Sequence, residues 1–372
     1  MARILFLTTA HQYDDDRIFH HQAKELHKSD HEVKICSLSS DFKGIFNGIE
    51  IESYPVLHLD TDAKIKVFRK VIEKFQPDCI LCSEPLAVVA SQKKSKKYSI
   101  IYDITEWYPA KRMVQRFPFP LNVFHAIRFF LIQLYAGFLS THFIFGEGTK
   151  KFPLAYVFPF KKRLILPYYP DDTYIRKSIK KLTPNEIHLA YTGSFSKEKG
   201  IENFFTVVDK LKKRNPQLTV KISLVGTPPK TDEPYFSDLL SQYSWEHITI
   251  KKPVAFEQFT ETYAEADICF DLREINLENH HCLPIKIFYY AASGKPVIYT
   301  DLKATRQHVE VSKFGHLVNP EDAESIAKII ENYLQNPELY SQHAQNARLE
   351  YEKYYNWDLI RKNFVQFIEN AL

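Results

Sequence analysis

Two lysines have the surroundings expected of an anion-binding site, because each lies where a predicted helix begins. Lys286 belongs to the segment Leu283-Pro-Ile-Lys-Ile-Phe-Tyr-Tyr-Ala-Ala-Ser-Gly-Lys-Pro-Val-Ile, in which Pro284 favours the first helical turn and Gly294 the helix end. The free amides of a helix N-terminus attract anions, and a lysine in the first turn adds a full positive charge. The segment predicts a phosphate-binding site.

The second lysine, Lys199, lies in Tyr191-Thr-Gly-Ser-Phe-Ser-Lys-Glu-Lys-Gly-Ile-Glu, between a predicted strand and a predicted helix. Gly193 would let the backbone approach a bound diphosphate, and Lys199 would neutralise part of its charge. Most lysines in any protein are ordinary surface residues. The position of Lys199 and Lys286 at helix entries beside turns favours a functional role for both.

Polar and charged side chains follow predicted strands in the N-terminal part of the chain. His11, Asp16 and Arg17 come after the first strand, and Thr105 and Glu106 come after a later one. Loops at the carboxyl ends of strands carry function in open α/β sheets. Two interpretations stay open: Asp16 either caps a helix or lies on an acceptor side, and Glu106 either pairs locally or belongs to the site.

The elements that would position these residues alternate between apolar strand-like runs and helix-like stretches. The first series comprises Ile4–Thr8, Arg17–Lys28 (helix), Glu32–Cys36, 63–75 (helix), Cys79–Cys82 and Ser99–Tyr102. The second comprises Ile187–Thr192, Ile201–Lys212 (helix), Leu218–Leu224, His247–Ile250, Ile268–Phe270, Ile285–Ser293 (helix) and Pro296–Tyr299. Alternation of this kind predicts parallel sheets with right-handed crossovers, and therefore an α/β fold.

The length of 372 residues exceeds what one hydrophobic core usually supports, so two domains are expected. The segment Leu166-Pro-Tyr-Tyr-Pro-Asp-Asp, followed by a polar basic stretch to Pro184, is typical of an interdomain connection. We predict an N-terminal domain at 1–170, a second domain at 171–355 and a C-terminal helix at 356–372.

Composition and charge narrow the class of protein. Hydrophobic residues make up 45% of the chain and charged residues 25%, as in a packed globular enzyme. Residues 1–170 contain 24 Lys and Arg against 17 Asp and Glu, net +7, whereas the remainder contains 25 against 28, net −3. This asymmetry suits an anionic partner such as a membrane surface or a phosphorylated acceptor, and it is too diffuse to predict nucleic-acid binding.

The five cysteines are an odd number in a chain with no predicted export signal, which favours a cytoplasmic protein with reduced thiols. His280-His281-Cys282 has ligand-type side chains, but three consecutive residues cannot easily converge on one zinc ion. We therefore expect no metal and no other cofactor.

An aromatic-rich segment runs from Phe117 to Leu139 and follows the basic residues Lys111, Arg112 and Arg116. One interpretation is a large core helix of the first domain, which we favour because such helices commonly pack on parallel sheets. The other is a peripheral contact with a membrane, at its inner face, because basic flanks and bulky aromatic side chains also suit a membrane surface.

The two lysine segments resemble the donor-binding motifs of GT-B glycosyltransferases of family 4. The first resembles the family helix P-x-K-L-F-E-Y-M-A-x-G-K-P, and the second resembles the loop G-R-x-x-x-x-K-G. Four further segments resemble family motifs in the same order along the chain: Asp15-Asp-Arg-Ile-Phe-His-His-Gln-Ala-Lys-Glu-Leu, Tyr102-Asp-Ile-Thr-Glu-Trp-Tyr-Pro, Val225-Gly-Thr-Pro and Gly315-His-Leu-Val-Asn-Pro. The resemblance covers nearly the whole chain.

Four positions depart from the family pattern. Tyr289 replaces the glutamate that binds the donor ribose, and His281 replaces its partner glutamate eight residues earlier. Ser194 stands where the loop usually carries arginine, and Thr105 replaces a histidine that reaches toward the reacting sugar. We predict that Tyr289 takes the glutamate's place in the donor pocket, with simple packing as the alternative.

The resemblance implies a GT-B fold, with two Rossmann-like domains facing across a cleft and the C-terminal helix returning to the first. It further implies metal-independent transfer of a hexosyl group from a nucleotide-sugar to a glycan or lipid-linked glycan, with retained anomeric configuration, in polysaccharide or glycolipid synthesis. The residues implied are catalytic Lys199, Lys286, Glu106 and Thr105; donor-binding Gly193, Ser194, Gly226, Thr227, Pro284, Ile285 and Tyr289; and acceptor-side His11, Asp16 and Arg17.

Two rival functions stay open. The four departures favour a non-catalytic subunit that binds a nucleotide-sugar or a partner. A nucleotide-sugar epimerase is the other rival, because it can share the architecture.

Overall fold

The computed structural model describes residues 1–92, 98–106, 108–243 and 245–372, apart from the side chains of Lys111 and Arg112. Trp107, in the predicted loop after the strand that contains Tyr102, therefore lies outside the described residues. The chain divides into two compact units. The first comprises Met1–Tyr168 and Asp358–Leu372, and the second comprises Tyr169–Trp357.

The first unit is built on an eight-stranded sheet. Its strands are β1 (Arg3–Thr8), β2 (Glu32–Ser37), β3 (Lys43–Phe46), β4 (Ile49–Glu52), β5 (Cys79–Cys82), β6 (Ser99–Ile104), β7 (His142–Phe145) and β8 (Arg163–Ile165). The order is β3-β4-β2-β1-β5-β6-β7-β8, and only β3 runs antiparallel to its neighbour. The sequence did not predict the β3–β4 hairpin, whose edge strand is largely exposed.

Helices cover the central strands, so these strands are mostly apolar and β5 is buried at every residue. The helical segments are a π-helical segment (Asp16–Ala23), α1 (Lys24–Lys28), α2 (Thr61–Phe75), α3 (Pro85–Ser91), α4 (Lys111–Val114), α5 (Leu121–Leu139), a 3-10 turn (Gly148–Lys151) and α6 (Leu154–Val157). The alternating pattern predicted the helices near 17–28 and 63–75, and it did not predict α3, α4 or α6.

The second unit has a six-stranded, fully parallel sheet in the order β11-β10-β9-β12-β13-β14. Its strands are β9 (Glu186–Ser194), β10 (Thr219–Thr227), β11 (Ile248–Lys251), β12 (Ile268–Asp271), β13 (Val297–Thr300) and β14 (Gly315–Val318). Its helices are α7 (Ile201–Arg214), α8 (Glu233–Ser241), α9 (Leu277–His280), α10 (Lys286–Ser293), α11 (Lys303–His308), α12 (Ala323–Gln335) and α13 (Pro337–Tyr354). Its 3-10 turns are Asp172–Tyr174, Lys230–Asp232, Phe256–Glu261 and Val311–Lys313, and a further 3-10 turn, Trp357–Leu359, begins at its last residue.

The last helix, α14 (Arg361–Glu369), belongs to the first unit, as the predicted fold requires. Arg361 lies 3.8 Å from the carboxylate of Glu25, and the ring of Phe367 meets His142 edge-on at 5.7 Å. The chain therefore leaves the first unit after β8 and comes back to it after completing the second.

The first helical segment differs from the prediction. The sequence predicted one α-helix over Arg17–Lys28, with Asp16 as a possible cap, whereas the structure has a π-helical segment followed by a short α-helix. Asp15 is the cap, because its Oδ1 accepts hydrogen bonds from the amides of Arg17 at 3.0 Å and Ile18 at 3.1 Å.

The favoured interpretation of the aromatic segment as a core helix is wrong. In α5 only Gln133, Ala136 and Gly137 are buried, and large apolar side chains along the rest of the helix are exposed. Among the described residues, α5 is the one helix long and apolar enough to cross a membrane. A helix that is apolar on all sides does not reveal from sequence which side the protein covers.

Candidate functional site

A pocket of about 380 Å³ opens in the second unit at the carboxyl ends of β9 and β10. Its wall contains five of the predicted site residues, namely Gly193, Ser194, Gly226, Thr227 and Lys286. The remaining lining residues are Thr192, Val225, Pro228, Pro229, Pro253, Val254 and Phe259. In open α/β sheets, ligands bind outside the carboxyl ends of the strands, where this pocket lies.

Two glycines form part of the pocket wall at positions where a side chain would not fit. Gly193 and Gly226 are paired in the parallel register of β9 and β10, and both have positive φ angles, of 123° and 146°. A Cβ atom on Gly226 would lie 1.8 Å from the carbonyl oxygen of Gly193, and one on Gly193 would lie 2.7 Å from Lys286 Nζ. Both positions therefore require glycine, and a side chain at Gly193 would displace the lysine.

Lys286 places its ammonium group beside β9, at the edge of the pocket. Lys286 Nζ donates to the carbonyl oxygen of Thr192 and lies 3.9 Å from Asp271 Oδ2, while 24% of the side chain stays exposed. Burial lowers the pKa of Lys286, and the attraction of Asp271 offsets this only in part, so the pKa falls to about 8. Lys286 is thus a mostly protonated cation at pH 7 with donors available to an anion.

A buried ion pair between Arg273 and Asp271 lies next to Lys286. Arg273 Nε lies 2.7 Å from Asp271 Oδ1 and Arg273 Nη2 lies 2.6 Å from Asp271 Oδ2, at the carboxyl end of β12. Arg273 makes the short, bidentate contacts with Asp271, whereas Lys286 lies at the longer distance of 3.9 Å from the same carboxylate. Arg273 was not among the predicted site residues, although a charged residue two positions after an apolar strand was a usable signal.

Lys199 lies in the loop between β9 and α7, outside the pocket wall. Its Nζ is 3.1 Å from Glu198 Oε1, and its charge acts on both Asp271 and Lys286. The loop is held by Tyr191, whose hydroxyl donates to the carbonyl oxygens of Ser194 at 3.0 Å and Lys199 at 2.8 Å. Lys199 is therefore a more exposed cation near the pocket than Lys286.

Three predicted donor residues in or just before α10 are absent from the residues that line the pocket. Pro284 and Ile285 form the turn that opens α10, and Tyr289 is buried with its ring edge-on to Phe256 at 6.0 Å and Phe259 at 5.6 Å. Phe259 lines the pocket, and Tyr289 packs against Phe259 on the side away from the pocket wall. Direct contact of Tyr289 with a donor stays a prediction.

A larger pocket, of about 580 Å³, lies at the opposite end of the second sheet. It is lined by residues that precede strands, such as Asn185 and Leu218, and by Glu331 and Leu334 of α12. None of the described residues that line it is a lysine, an arginine or a glycine. We assign anion binding to the smaller pocket because the cations and the close backbone approach are found there.

The first unit gathers a different set of groups at the carboxyl end of β1. His11 Nδ1 lies 2.8 Å from Asp15 Oδ2, and His11 Nε2 lies 3.9 Å from Glu84 Oε1. Burial lowers the pKa of His11, but Asp15 together with the charges of Glu84 and Glu106 outweighs it and raises the pKa to about 9. His11 is a protonated imidazolium at neutral pH that could interact with an oxygen of a ligand.

Glu84 is fixed in this cluster by the backbone. Its carboxylate accepts hydrogen bonds from the amides of Thr9 at 2.9 Å and Ala10 at 3.2 Å, and from the hydroxyl of Thr8 at 3.2 Å. Burial nevertheless raises the pKa of Glu84. Asp15 and Glu84 were not among the predicted site residues, although the spacing of four between His11 and Asp15 was a usable signal.

Arg17 has a structural position, which corrects its predicted place on the acceptor side. Its Nε and Nη2 each lie 2.8 Å from the Asp103 carboxylate, and its Nη1 donates to the carbonyl oxygen of Leu166 at 2.8 Å. Gln22 also donates to Asp103, at 2.7 Å. With its guanidinium buried and bound in this way, Arg17 joins three chain segments and does not reach a ligand.

Asp16 and Thr105 are partly exposed in the first unit. Burial, with the adjacent charge of Asp15, raises the pKa of Asp16 to about 7. Among the described residues, no group of three or more His, Cys, Asp or Glu side chains is placed to hold a metal ion. Roles for Asp16, Thr105 and Glu106 toward an acceptor stay predictions.

Residues 186–336 match the family model described as Glycosyl transferases group 1. The matched segment begins with β9 and ends just after α12, so it contains the pocket, its glycines and Lys286. The second unit contains a group 1 glycosyltransferase domain. A search of curated proteins finds no match.

Solved structures show the fold of the glycosyltransferase domain and of the rest of the chain. Sucrose-phosphate synthase from Thermosynechococcus elongatus is 15% identical, with a TM-score of 0.73 over 99% of this chain and 98% of that one. HepE of Anabaena in complex with UDP-glucose is 13% identical, with a TM-score of 0.70 over 100% of both chains. WaaG, a glycosyltransferase involved in lipopolysaccharide biosynthesis, is 16% identical, with a TM-score of 0.68 over 97% of this chain and 98% of that one. The chain has the GT-B fold.

Proposed function

We propose that this protein is a glycosyltransferase that moves a sugar from a nucleotide-sugar donor to a glycan or lipid-linked glycan acceptor. The observation that carries the proposal is the pocket in which Lys286 lies against Gly193 at the carboxyl ends of β9 and β10. This arrangement supplies an ammonium group, a close backbone approach and the first turn of α10. A diphosphate linked to a sugar has the charge and size that these groups suit.

The donor diphosphate would be bound mainly by electrostatics. Lys286 would contact it directly, and Lys199, whose charge already acts on the pocket, would approach as the ligand binds. Both cations stabilise the negative charge that grows on the diphosphate as the bond to the sugar breaks. Since lysines can carry this stabilisation, we propose that transfer of a hexosyl group requires no divalent metal.

We assign the acceptor side to the first unit. His11 is held by Asp15 and surrounded by Glu84 and Glu106, so this cluster can orient a hydroxyl group and exchange a proton with it. Thr105 lies on a loop of the same unit, and Asp16 is the first residue of its π-helical segment. Retention of the anomeric configuration and a place in polysaccharide or glycolipid synthesis belong to the proposal as well.

One observation favours a second candidate, a subunit that binds a nucleotide-sugar without transferring it. The α10 position at which related enzymes carry a ribose-binding carboxylate holds Tyr289, and this ring is packed against Phe256 and Phe259. A phenol cannot bind two ribose hydroxyls as a carboxylate does. Donor affinity without turnover would be the signature of this candidate.

The test combines binding with turnover on the purified full-length chain. We expect one nucleoside diphosphate, and its sugar derivatives, to raise the melting temperature in a thermal-shift panel, since a ligand that binds only the native state stabilises it. UDP-glucose is the first donor to assay, with release of the nucleoside diphosphate as the readout and with EDTA added in one arm. Loss of activity with EDTA that manganese restores would refute metal independence, and absence of any nucleotide-dependent shift would refute the function.

A further inference from the structure

Helix α5 presents a largely apolar face to solvent. The side chains of this face, called the α5 face below, recur at helical spacing and are Leu121, Phe124, Ile127, Leu131, Tyr135 and Phe138. Phe138, for example, is 67% exposed. Soluble proteins rarely leave a contiguous patch of this kind uncovered, so the face predicts a partner.

The opposite side of α5 is anchored to the first unit. Ala136 and Gly137 are buried, and a Cβ atom on Gly137 would lie 2.5 Å from Leu154 Cδ2 of α6. The helix also packs against α3 and β6. Because one side of α5 is tightly packed, the helix stays on the surface of the unit and offers only its α5 face.

A second group of exposed apolar side chains lies next to the C-terminal end of α5. Its members are Phe152, Tyr156, Val157 and Phe160, the last of which is 99% exposed. Lys161 joins the two groups, because its Nζ donates to the carbonyl oxygens of Gly137 at 2.6 Å and Phe138 at 2.8 Å. The apolar surface therefore continues from α5 into the segment 152–160.

The charge of this part of the chain identifies the kind of partner. Residues 107–170 contain nine Lys and Arg and a single acid, Glu147, and Arg128 is exposed within the α5 face. A second copy of the chain would bring the same positive charge to the interface and be repelled. An anionic lipid bilayer offers both a negative surface and an apolar interior.

We propose that the α5 face and segment 152–160 dock the first unit onto an anionic lipid bilayer, with α5 lying in the plane of the interface. Exposed Arg128 and buried Gln133 near the middle of the helix disfavour a spanning orientation, because polar groups are costly at the bilayer centre. The long stem of Arg128 can remain in the apolar layer while its guanidinium reaches the lipid headgroups. This docking does not depend on transfer activity, so either proposal can fail without the other.

The experiment is vesicle co-sedimentation of the full chain, with phosphatidylcholine vesicles compared with vesicles containing equal parts of phosphatidylglycerol and phosphatidylcholine. We expect binding to the anionic vesicles and loss of that binding as salt is raised. Leu131→Glu and Phe160→Ser should each weaken binding by about tenfold, because each removes an apolar side chain from the interface. Arg128→Gln should weaken binding to anionic vesicles by several-fold.

The matched control is Leu349→Glu on α13 of the second unit, since Leu349 is 58% exposed and Leu131 is 57% exposed. Thermal melts of all variants should match the native chain, because the substituted side chains are exposed. Equal binding by Leu131→Glu and the native chain, or an equal loss in Leu349→Glu, would overturn the proposal. Absence of vesicle binding together with a dimer in sedimentation velocity would assign the face to a second copy instead.

Discussion

The two ends of α10 carry lysines with similar pKa values and different surroundings. Burial lowers the pKa of both Lys286, at the start of the helix, and Lys295, just after its end, to about 8. Lys295 is fully buried, and its Nζ donates to the carbonyl oxygens of Ser178 at 2.6 Å, Ala264 at 2.5 Å and Ala266 at 2.7 Å. A lowered pKa alone therefore does not identify a functional lysine.

The contacts separate the two roles. Three carbonyl oxygens use the three donors of the Lys295 ammonium group, so this residue joins strands and loops and has no donor left for a ligand. Lys286 binds one carbonyl oxygen and faces a pocket whose wall lacks a Cβ atom at Gly193. The difference leads to opposite predictions for stability and for ligand binding.

Substitution of Lys295 should have the largest effect, and the effect should be on stability. Lys295→Ala leaves three buried carbonyl oxygens without a donor, which should lower the free energy of unfolding by about 3 kcal/mol. Lys295→Met keeps the apolar stem and isolates the loss of the hydrogen bonds. Urea denaturation measures both, with Lys212→Ala on α7 as the control. A stable Lys295→Ala protein with weak nucleotide affinity would reverse the assignment of the two lysines.

Substitution of Lys286 should reduce binding and leave stability nearly unchanged. We expect Lys286→Ala to weaken nucleoside diphosphate binding by about 1.5–3 kcal/mol, or roughly tenfold to a hundredfold, because a charge-assisted contact is lost. Lys199→Ala should act in the same direction, toward the lower end of that range, since Lys199 is more exposed and pairs with Glu198. Calorimetric titration with the nucleoside alone is the control, and equal losses for nucleoside and diphosphate would contradict the assignment.

The sequence was sufficient for those parts of the site that are local. Gly193 and Lys286 were found because strand–turn–helix segments with Gly and Pro have short-range signals, and both line one pocket. Arg273 and Glu84 were not found. Glu84 meets Thr8 from 76 residues away only because β1 pairs with β5, and such a pairing register is not visible in either segment alone.

The fold followed from the alternation of apolar strands and helices, whereas the environment of α5 did not. Its residues are apolar nearly all round the helix, so the hydrophobic periodicity did not indicate which side of the helix is buried. The structure shows that only the side around Ala136 and Gly137 is covered. Burial of a helix depends on its neighbours. For α5 these neighbours include α3, which precedes it in the sequence, and α6, which follows it.

The pH dependence of nucleotide binding should show which lysine is used. Lys286 loses its proton as the pH rises past about 8, and only the protonated form is a cation, so diphosphate affinity should fall between pH 7 and pH 9 by up to about tenfold. The ligand stays ionised over this range because phosphate groups titrate near pH 6. Lys286→Arg should remove the dependence, since arginine stays charged. An unchanged pH profile in Lys286→Arg would assign the titration to another group.

The smallest effect concerns Tyr289 and decides whether it contacts the donor or supports the wall behind Phe259. The edge-on contacts with Phe256 and Phe259 are made by the ring, so Tyr289→Phe preserves them. If the ring only supports the wall, donor affinity should change by less than about twofold in Tyr289→Phe, and Tyr289→Glu should lower the melting temperature because a charge is placed in a buried site. Phe288→Tyr on the same helix is the control for general disturbance of α10.

The outcome differs if the Tyr289 hydroxyl binds the donor, as the sequence predicts. In that case Tyr289→Phe should weaken donor binding without loss of stability. Tyr289→Glu should then fold and bind the donor at least as well, because a carboxylate accepts hydrogen bonds from both ribose hydroxyls. Parallel calorimetric titrations and thermal melts of the two variants separate these outcomes.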